Sequence, residues 1–238
     1  MRVIALASQK GGTGKTTLAG HLAVQAHMAG AGPVVLLDTD NLGTLADWWD
    51  ARPADDIAFV ESHMARLAGD LTALREDGFR LAMIDTPAGN PMAIQTALQQ
   101  ADLVVVPVRV GPHDLKAIGP LLDLCDRAGK PLVFLVNAAS PDSQLAEVMV
   151  AALAKHGSVL PNWIAHHSGL VDAMAEGLTI METEPDCPVS AEIEQLWEQL
   201  CQRADKNFRR TVFTAPSPSG FAVAHRPGPI GFGRRQIG

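Results

Sequence analysis

A chain of 238 residues with 47% hydrophobic content can fill a complete core at the size of one large α/β domain. Its formal charge of −7 excludes a generally basic, nucleic-acid-coating surface and leaves only a local patch open. No apolar stretch approaches the ~20 residues a membrane span needs, and no basic leader precedes the first apolar run, so the expectation is a cytoplasmic protein with no membrane association.

In chain order, Val3-Ile4-Ala5-Leu6-Ala7 reads as a strand that runs directly into Ser8-Gln9-Lys10-Gly11-Gly12-Thr13-Gly14-Lys15-Thr16-Thr17. Leu18, Leu22, Ala23, Ala26 and Ala29 then recur at helical spacing until Gly30 and Gly32 stop the helix before Pro33. Strand, glycine loop and helix make a phosphate cradle: Gly11, Gly12 and Gly14 let backbone N–H groups converge on an anion, and the helix opening near Lys15 adds its positive end. In such a loop Lys15 lies across the β- and γ-phosphates and Thr16 supplies a Mg²⁺ ligand. The P-loop pattern G-x-x-x-x-G-K-[ST] asks for a further glycine where this chain has Gln9.

Val34 to Asp38 is continuously apolar up to its acidic end, the mark of a buried parallel strand, and is followed by Thr39-Asp40. A helix is expected over Leu42 to Ala51, with Trp48 and Trp49 as packing groups, then a short strand from Ile57 to Val60 and a helix carrying Leu67, Leu71 and Leu74. The strand Arg80 to Ile84 ends in Asp85-Thr86-Pro87-Ala88-Gly89; phosphoryl transfer makes Thr16 and Asp85 the candidate Mg²⁺ holders, Thr16 directly and Asp85 through a water, unless Asp85 is a helix N-cap. A helix with Ile94 to Ala101 leads to the strand Leu103 to Val108. A helix from Leu115 to Cys125 leads to the strand Leu132 to Val136, which ends at Asn137. Leu145 to Leu153 is helical, Val159 to Ala165 a weaker strand, Leu170 to Met174 a short helix, and a helix through Ile193, Leu196, Trp197 and Leu200 closes the folded part.

Apolar strands alternating with helices, with polar residues at the strands' C-terminal ends, predict an α/β fold: a doubly wound, mostly parallel sheet flanked by helices. The expected domain covers residues 1–206. Residues 207–238 turn to Pro, Gly, Ser and Arg with Phe213, Phe221 and Phe232 interspersed, and read as an extended or disordered tail, either a plain appendage or an arm for DNA or a partner. The three cysteines, Cys125, Cys187 and Cys201, show neither C-x-x-C pairing nor a zinc-ligand rhythm and read as ordinary buried or half-buried thiols, while the adjacent His166-His167 makes a poor metal pair because neighbours do not easily face one ion.

The string Lys10-Gly11-Gly12-Thr13-Gly14-Lys15-Thr16-Thr17 resembles the deviant Walker A motif of the ParA and MinD family of ATPases, and the resemblance extends over about residues 1–205 through Asp38-Thr39-Asp40 and Asp85-Thr86-Pro87-Ala88-Gly89. Pro107, the Pro112-His113-Asp114-Leu115 stretch and Gly177-Leu178-Thr179 look like parts of small ParA proteins without an N-terminal DNA-reading domain. The resemblance implies slow hydrolysis of ATP with Mg²⁺, the nucleotide held by Gly11 to Thr17. It implies that Asp40 orients the attacking water and that Asp38 is a further partner of the metal, unless both aspartates only form a turn. Lys10 would reach the phosphates of the other subunit in an ATP-bound homodimer. Asn137 matches a position that contacts adenine, or is a plain strand-end asparagine. A ParA-like protein would also bind DNA non-specifically when ATP is present, associate with the nucleoid, and answer to a small ParB-like or cargo-adaptor partner. His166-His167 stands where many relatives carry an arginine, which leaves the DNA-contact surface open. A MipZ-like regulator of division-site placement and a metabolic or maturation ATPase are the rival readings; the second would need further catalytic groups or a cysteine pair, and neither is evident.

Overall fold

The computed structural model describes residues 1–111, 114, 118–140, 142–214 and 234–235. Among these, nine strands form one sheet: β1 (Arg2–Leu6), β2 (Val34–Asp38), β3 (Ala58–Glu61), β4 (Leu81–Asp85), β5 (Leu103–Arg109), β6 (Leu132–Ala139), β7 (Ser158–Val159), β8 (Ile164–Ala165) and β9 (Arg234–Arg235). Their order is β7-β6-β5-β1-β4-β2-β3-β9, with β8 also on β6, and every pairing is parallel. The helices are α1 (Lys15–Met28), α2 (Thr44–Ala51), α3 (Leu67–Glu76), α4 (Pro91–Gln100), α5 (Gly119–Ala128), α6 (Gln144–Leu153), α7 (Gly169–Ala175), α8 (Ile180–Thr183) and α9 (Pro188–Thr214).

The continuous apolar character of the strands follows from burial on both faces. Ile4, Leu6, Leu36 and Met83 belong to one core, with α1 and α9, while Val3, Ala5, Leu37 and Ile84 point into the other, with α3 and α4. Two registers then set the site. Leu6 of β1 lies opposite Asp85 of β4, and Asp38 of β2 lies opposite Asp85 from the other side. The chain doubles back across β1, whose neighbours are β4 and β5, so the loop after β1 opens at the switch point of the sheet, where α/β folds hold ligands.

The structure revises several expected elements. Val159 to Ala165 is not one strand: Leu160, Pro161, Asn162 and Trp163 separate β7 from β8, and each strand pairs with β6 on its own. Asn137 is not at a strand end; β6 continues to Ala139 through an irregularity at Ala138, whose φ is 54°. Gly43, in the left-handed region, opens α2 at Thr44, two residues after the expected Leu42. The expected start at Leu115 and the Pro112-His113 pair lie outside the described residues. So does the tail at 215–233, whereas α9 carries the chain through the compositional change at 207 as far as Thr214.

Both tryptophans are packing groups. Trp48 donates its Nε1–H to Leu178 O at 3.0 Å, and Trp49 stacks on Phe59 at 5.4 Å while donating to Ile57 O. Beside them Arg52, buried and 5.5 Å over the Trp48 ring, joins Asp56, Glu182 and Gly177 O. Gly177 makes that junction possible, because its φ is 72° and a Cβ there would run into the Ala51 carbonyl and Arg52 N. Gly177→Ala is expected to cost about 3 kcal/mol or more, the sum of left-handed strain and overpacking against backbone that cannot swing away. Urea unfolding checks this, and a loss below about 1 kcal/mol would contradict the packing account.

Candidate nucleotide and magnesium site

The loop between β1 and α1 turns twice through conformations that favour glycine, at Gly12 (φ 72°) and Gly14 (φ 93°). Gly14 is also the N-cap of α1, and a Cβ on it would strike Asn137 Nδ2, so the backbone of the loop approaches β6 closely. The first turn of α1 thus presents its free N–H groups at the sheet's C-terminal edge. Lys15 opens that turn and is buried; burial lowers its pKa, against the pull of Asp85 and Asp40, which favour the charged form.

Beneath the loop the two strand-end carboxylates meet. Thr16 Oγ1 donates to Asp85 Oδ2 at 2.6 Å, and the Asp40 N–H donates to Asp38 Oδ1 at 2.9 Å. The other oxygens, Asp85 Oδ1 and Asp38 Oδ2, are buried without a hydrogen-bond partner, as is Thr13 Oγ1. Burial pushes Asp85 up to about 7, with the Thr16 hydrogen bond opposing it and the charge of Asp38 adding to it. Burial likewise raises Asp38 to about 6. Thr39 locks the end of β4 by donating both N–H and Oγ1–H to Asp85 O, and Thr86 Oγ1 does the same for β1 at Leu6 O. Orphaned carboxylate oxygens beside a threonine hydroxyl form an all-oxygen donor set that fits Mg²⁺, a hard cation that also removes the cost of keeping two buried carboxylates charged.

These carboxylates have a measurable cost in nucleotide-free protein. Their folded pKa values lie above the unfolded value of 3.8, so the fold binds more protons than the unfolded chain between about pH 4 and pH 7, and stability falls as pH rises through that window. Asp38→Asn is expected to raise stability at pH 8 in EDTA by about 1–3 kcal/mol, and the gain should fade toward pH 5, where the wild-type carboxyl is already neutral. Thermal unfolding across that range checks it, and a destabilised variant at pH 8 would contradict the assignment.

Asp40 is half-exposed at the mouth of the cleft, with Oδ1 accepting the Leu42 N–H at 3.2 Å. Lys10, exposed, turns to Asp114 of its own chain, Nζ to Oδ1 2.6 Å. Asn137 Nδ2 donates to Thr13 O at 2.8 Å, so the asparagine props the loop. Next to it a cavity of ≈ 280 Å³ is walled by Gly14, Arg109, Asn137, His166, Leu170 and Val171, wide enough for a base beyond the phosphate cradle. The structure therefore brings Gly11 to Thr17, Asp38, Asp40, Asp85 and Asn137 to one edge, with Lys10 at its rim.

Three contributors went unread in the sequence. Thr39 could have been found as the central residue of the Asp38-Thr39-Asp40 strand end. Asp114 stood out only as part of the Pro112-His113-Asp114-Leu115 stretch, and nothing local ties it to Lys10, 104 positions away. His21 interrupts the apolar face of α1, which was a usable sign. It is buried with Nδ1 2.8 Å from Thr17 O and Nε2 accepting the Ile180 N–H, a tautomer that ties α1 to α8, and burial pushes its pKa down to about 4.

The model of the CobQ/CobB/MinD/ParA nucleotide-binding domain matches residues 4–180 of this chain. The chain belongs to the MinD/ParA family. Its relatives include the maintenance of carboxysome distribution protein A of Gloeobacter kilaueensis, 30% identical over 88% of this chain and 96% of that protein. The chromosome-partitioning ATPase Soj of Thermus thermophilus is also 30% identical, over 87% of this chain and 98% of that protein. Among solved structures, the MinD cell division protein of Aquifex aeolicus superposes with a TM-score of 0.69 at 19% identity, covering 85% of this chain and 98% of that one. MinD of Pyrococcus horikoshii complexed with Mg-ADP gives a TM-score of 0.68 at 20% identity, covering 87% and 98%. The parallel sheet and the loop after β1 are thus those of the MinD/ParA P-loop nucleotide-hydrolysing fold. Among the described residues no helix is long and apolar enough to cross a membrane.

Proposed function

We propose that this MinD/ParA-family chain hydrolyses ATP slowly to position DNA or a protein cargo, dimerising with ATP, holding non-specific DNA while dimeric, and releasing it when a small ParB-like or adaptor partner stimulates hydrolysis. The observation that carries the reading is the convergence of Asp38, Asp85 and Thr16, with orphaned carboxylate oxygens, under a glycine loop that has an exposed lysine at its rim. The two relatives matched at 30% identity over nearly their full lengths are named for carboxysome distribution and chromosome partitioning, which favours positioning over the metabolic and maturation rivals.

Thr16, Asp85 and Asp38 would hold Mg²⁺, which supplies charge neutralisation for the transferring phosphoryl group. Lys15 and the N–H groups of Gly11 to Thr17 take the phosphates; Asp40, at the cleft mouth, holds the attacking water; Asn137 keeps the loop against β6, where the cavity receives the base. Lys10 serves the neighbouring subunit, and this requires it to leave Asp114. Such a cycle places the protein on the nucleoid. Retention on arbitrary duplex DNA is expected at low salt with ATP only, and to fall steeply as salt rises. No retention with ATP at low salt would overturn the DNA part of the proposal.

A further inference from the structure

On the wall of the base cavity, away from the phosphate loop, His167, Glu184 and Cys187 form a cluster whose ligand atoms all lie within 4.8 Å of one another. His167 follows β8, whereas Glu184 and Cys187 bound the turn between α8 and α9. That turn is held by its own backbone: Glu184 N–H donates to Ile180 O at 2.7 Å, and Glu184 O accepts from Cys187 N–H at 3.0 Å and from Ser190 Oγ at 2.7 Å. On the other side the His166 N–H donates to Ala139 O at 2.7 Å, fixing the end of β8. The backbone that carries the three side chains is thus fixed before any ligand arrives.

Two further features point to a ligand. Cys187 Sγ and His167 Nε2 stand 3.8 Å apart, close to the roughly 3.5 Å that separates a sulfur at about 2.3 Å and a nitrogen at about 2.0 Å on one tetrahedral ion. Gly169 has an ordinary backbone φ, yet a Cβ on it would lie 2.6 Å from Glu184 Oε1 and 2.9 Å from His167 Nδ1, so its bare Cα leaves both side chains room beside it.

We propose that His167, Glu184 and Cys187 bind one zinc ion, with water completing the tetrahedron on the exposed Glu184 side. Thiolate, imidazole and carboxylate together suit a borderline-soft d¹⁰ ion and exclude Mg²⁺, which separates this site from the all-oxygen set at Asp85. In the metal-free geometry Nδ1 accepts the Gly169 N–H at 3.2 Å, which leaves the ring proton on Nε2, facing sulfur. Ligation through Nε2 moves that proton to Nδ1 at the expense of this one long hydrogen bond, and the thiol proton is released to solvent. The ion would tie the β8–α7 connection, which walls the base cavity through His166 and His167, to the turn before α9.

The test uses full-length protein, stripped with EDTA and kept reduced with a phosphine. One equivalent of Co²⁺ should give thiolate-to-cobalt absorption in the near ultraviolet with tetrahedral visible bands, and Zn²⁺ should displace it stoichiometrically. Cys187→Ser should abolish the ultraviolet band, and His167→Gln should weaken Zn²⁺ at least about tenfold. Glu184→Gln, on an exposed side chain with no folding burden, should weaken it as well, and Zn²⁺ should raise the melting temperature of the wild type but not of Cys187→Ser. Absence of the cobalt bands in wild type, or bands that persist unchanged in Cys187→Ser and Glu184→Gln, would overturn the site. None of these readouts depends on ATP, so the zinc site and the positioning cycle stand or fall separately.

Discussion

Asp40→Ala should lower ATP turnover by at least about 100-fold while leaving nucleotide affinity within a few-fold of wild type. The expected size is that of removing a group that positions the reacting water. The selectivity follows from place. Asp40 is half-exposed at the cleft mouth and its visible side-chain bond is a local one to the Leu42 N–H, so its loss leaves the loop and the Thr16–Asp85 bond in place and takes from Lys15 only the lesser of its two carboxylate attractions. Asp38 is the contrasting case, since it is buried and holds the Asp40 backbone. Its replacement should disturb both metal affinity and the position of Asp40. Steady-state phosphate release with equilibrium binding of a fluorescent ATP analogue separates the two, and an Asp40→Ala enzyme that turns over at more than half the wild-type rate would remove Asp40 from the chemistry.

Lys10→Ala should eliminate ATP-dependent dimerisation, with at least about a tenfold loss of dimer affinity. In the free chain Lys10 has a partner of its own, Asp114, in a pair whose lysine side chain is 44% exposed. Partly exposed pairs of this kind contribute little, about 0–1 kcal/mol, so the cis contact can hold Lys10 in place yet give way to a phosphate. Asp114→Asn should therefore strengthen the ATP-bound dimer slightly, by no more than about fivefold, in the opposite direction to Lys10→Ala.

The phosphate loop was legible because its chemistry is consecutive: glycines, lysines and threonines stand in one string and the flanking apolar periods fix strand and helix around it. Asp38 and Asp85 were legible as acidic ends of continuously apolar strands, and the parallel sheet then sets them side by side through register alone. What the sequence hid depends on contacts between distant segments. Lys10 finds Asp114 only once β5 lies beside β1. Asn137 props Thr13 rather than ending a strand, because an irregularity at Ala138 lets β6 run on. The short helix α8 is set by the capping box of Thr179 and Glu182 and by Arg52, not by apolar spacing. Glu184 and Cys187 stand on one turn, but His167 reaches them from another segment, a grouping that no spacing rule for nearby ligands would join.

The central claim, that an ATP-filled cleft joins two copies of this chain through Lys10, is tested most directly by light-scattering mass measurement of wild type and Lys10→Ala with Mg-ATP, with Mg-ADP and without nucleotide. Wild type should be a dimer with Mg-ATP only, and Lys10→Ala a monomer throughout despite binding ATP. A wild type that stays monomeric with bound ATP, or a Lys10→Ala protein that dimerises as wild type does, would contradict the account.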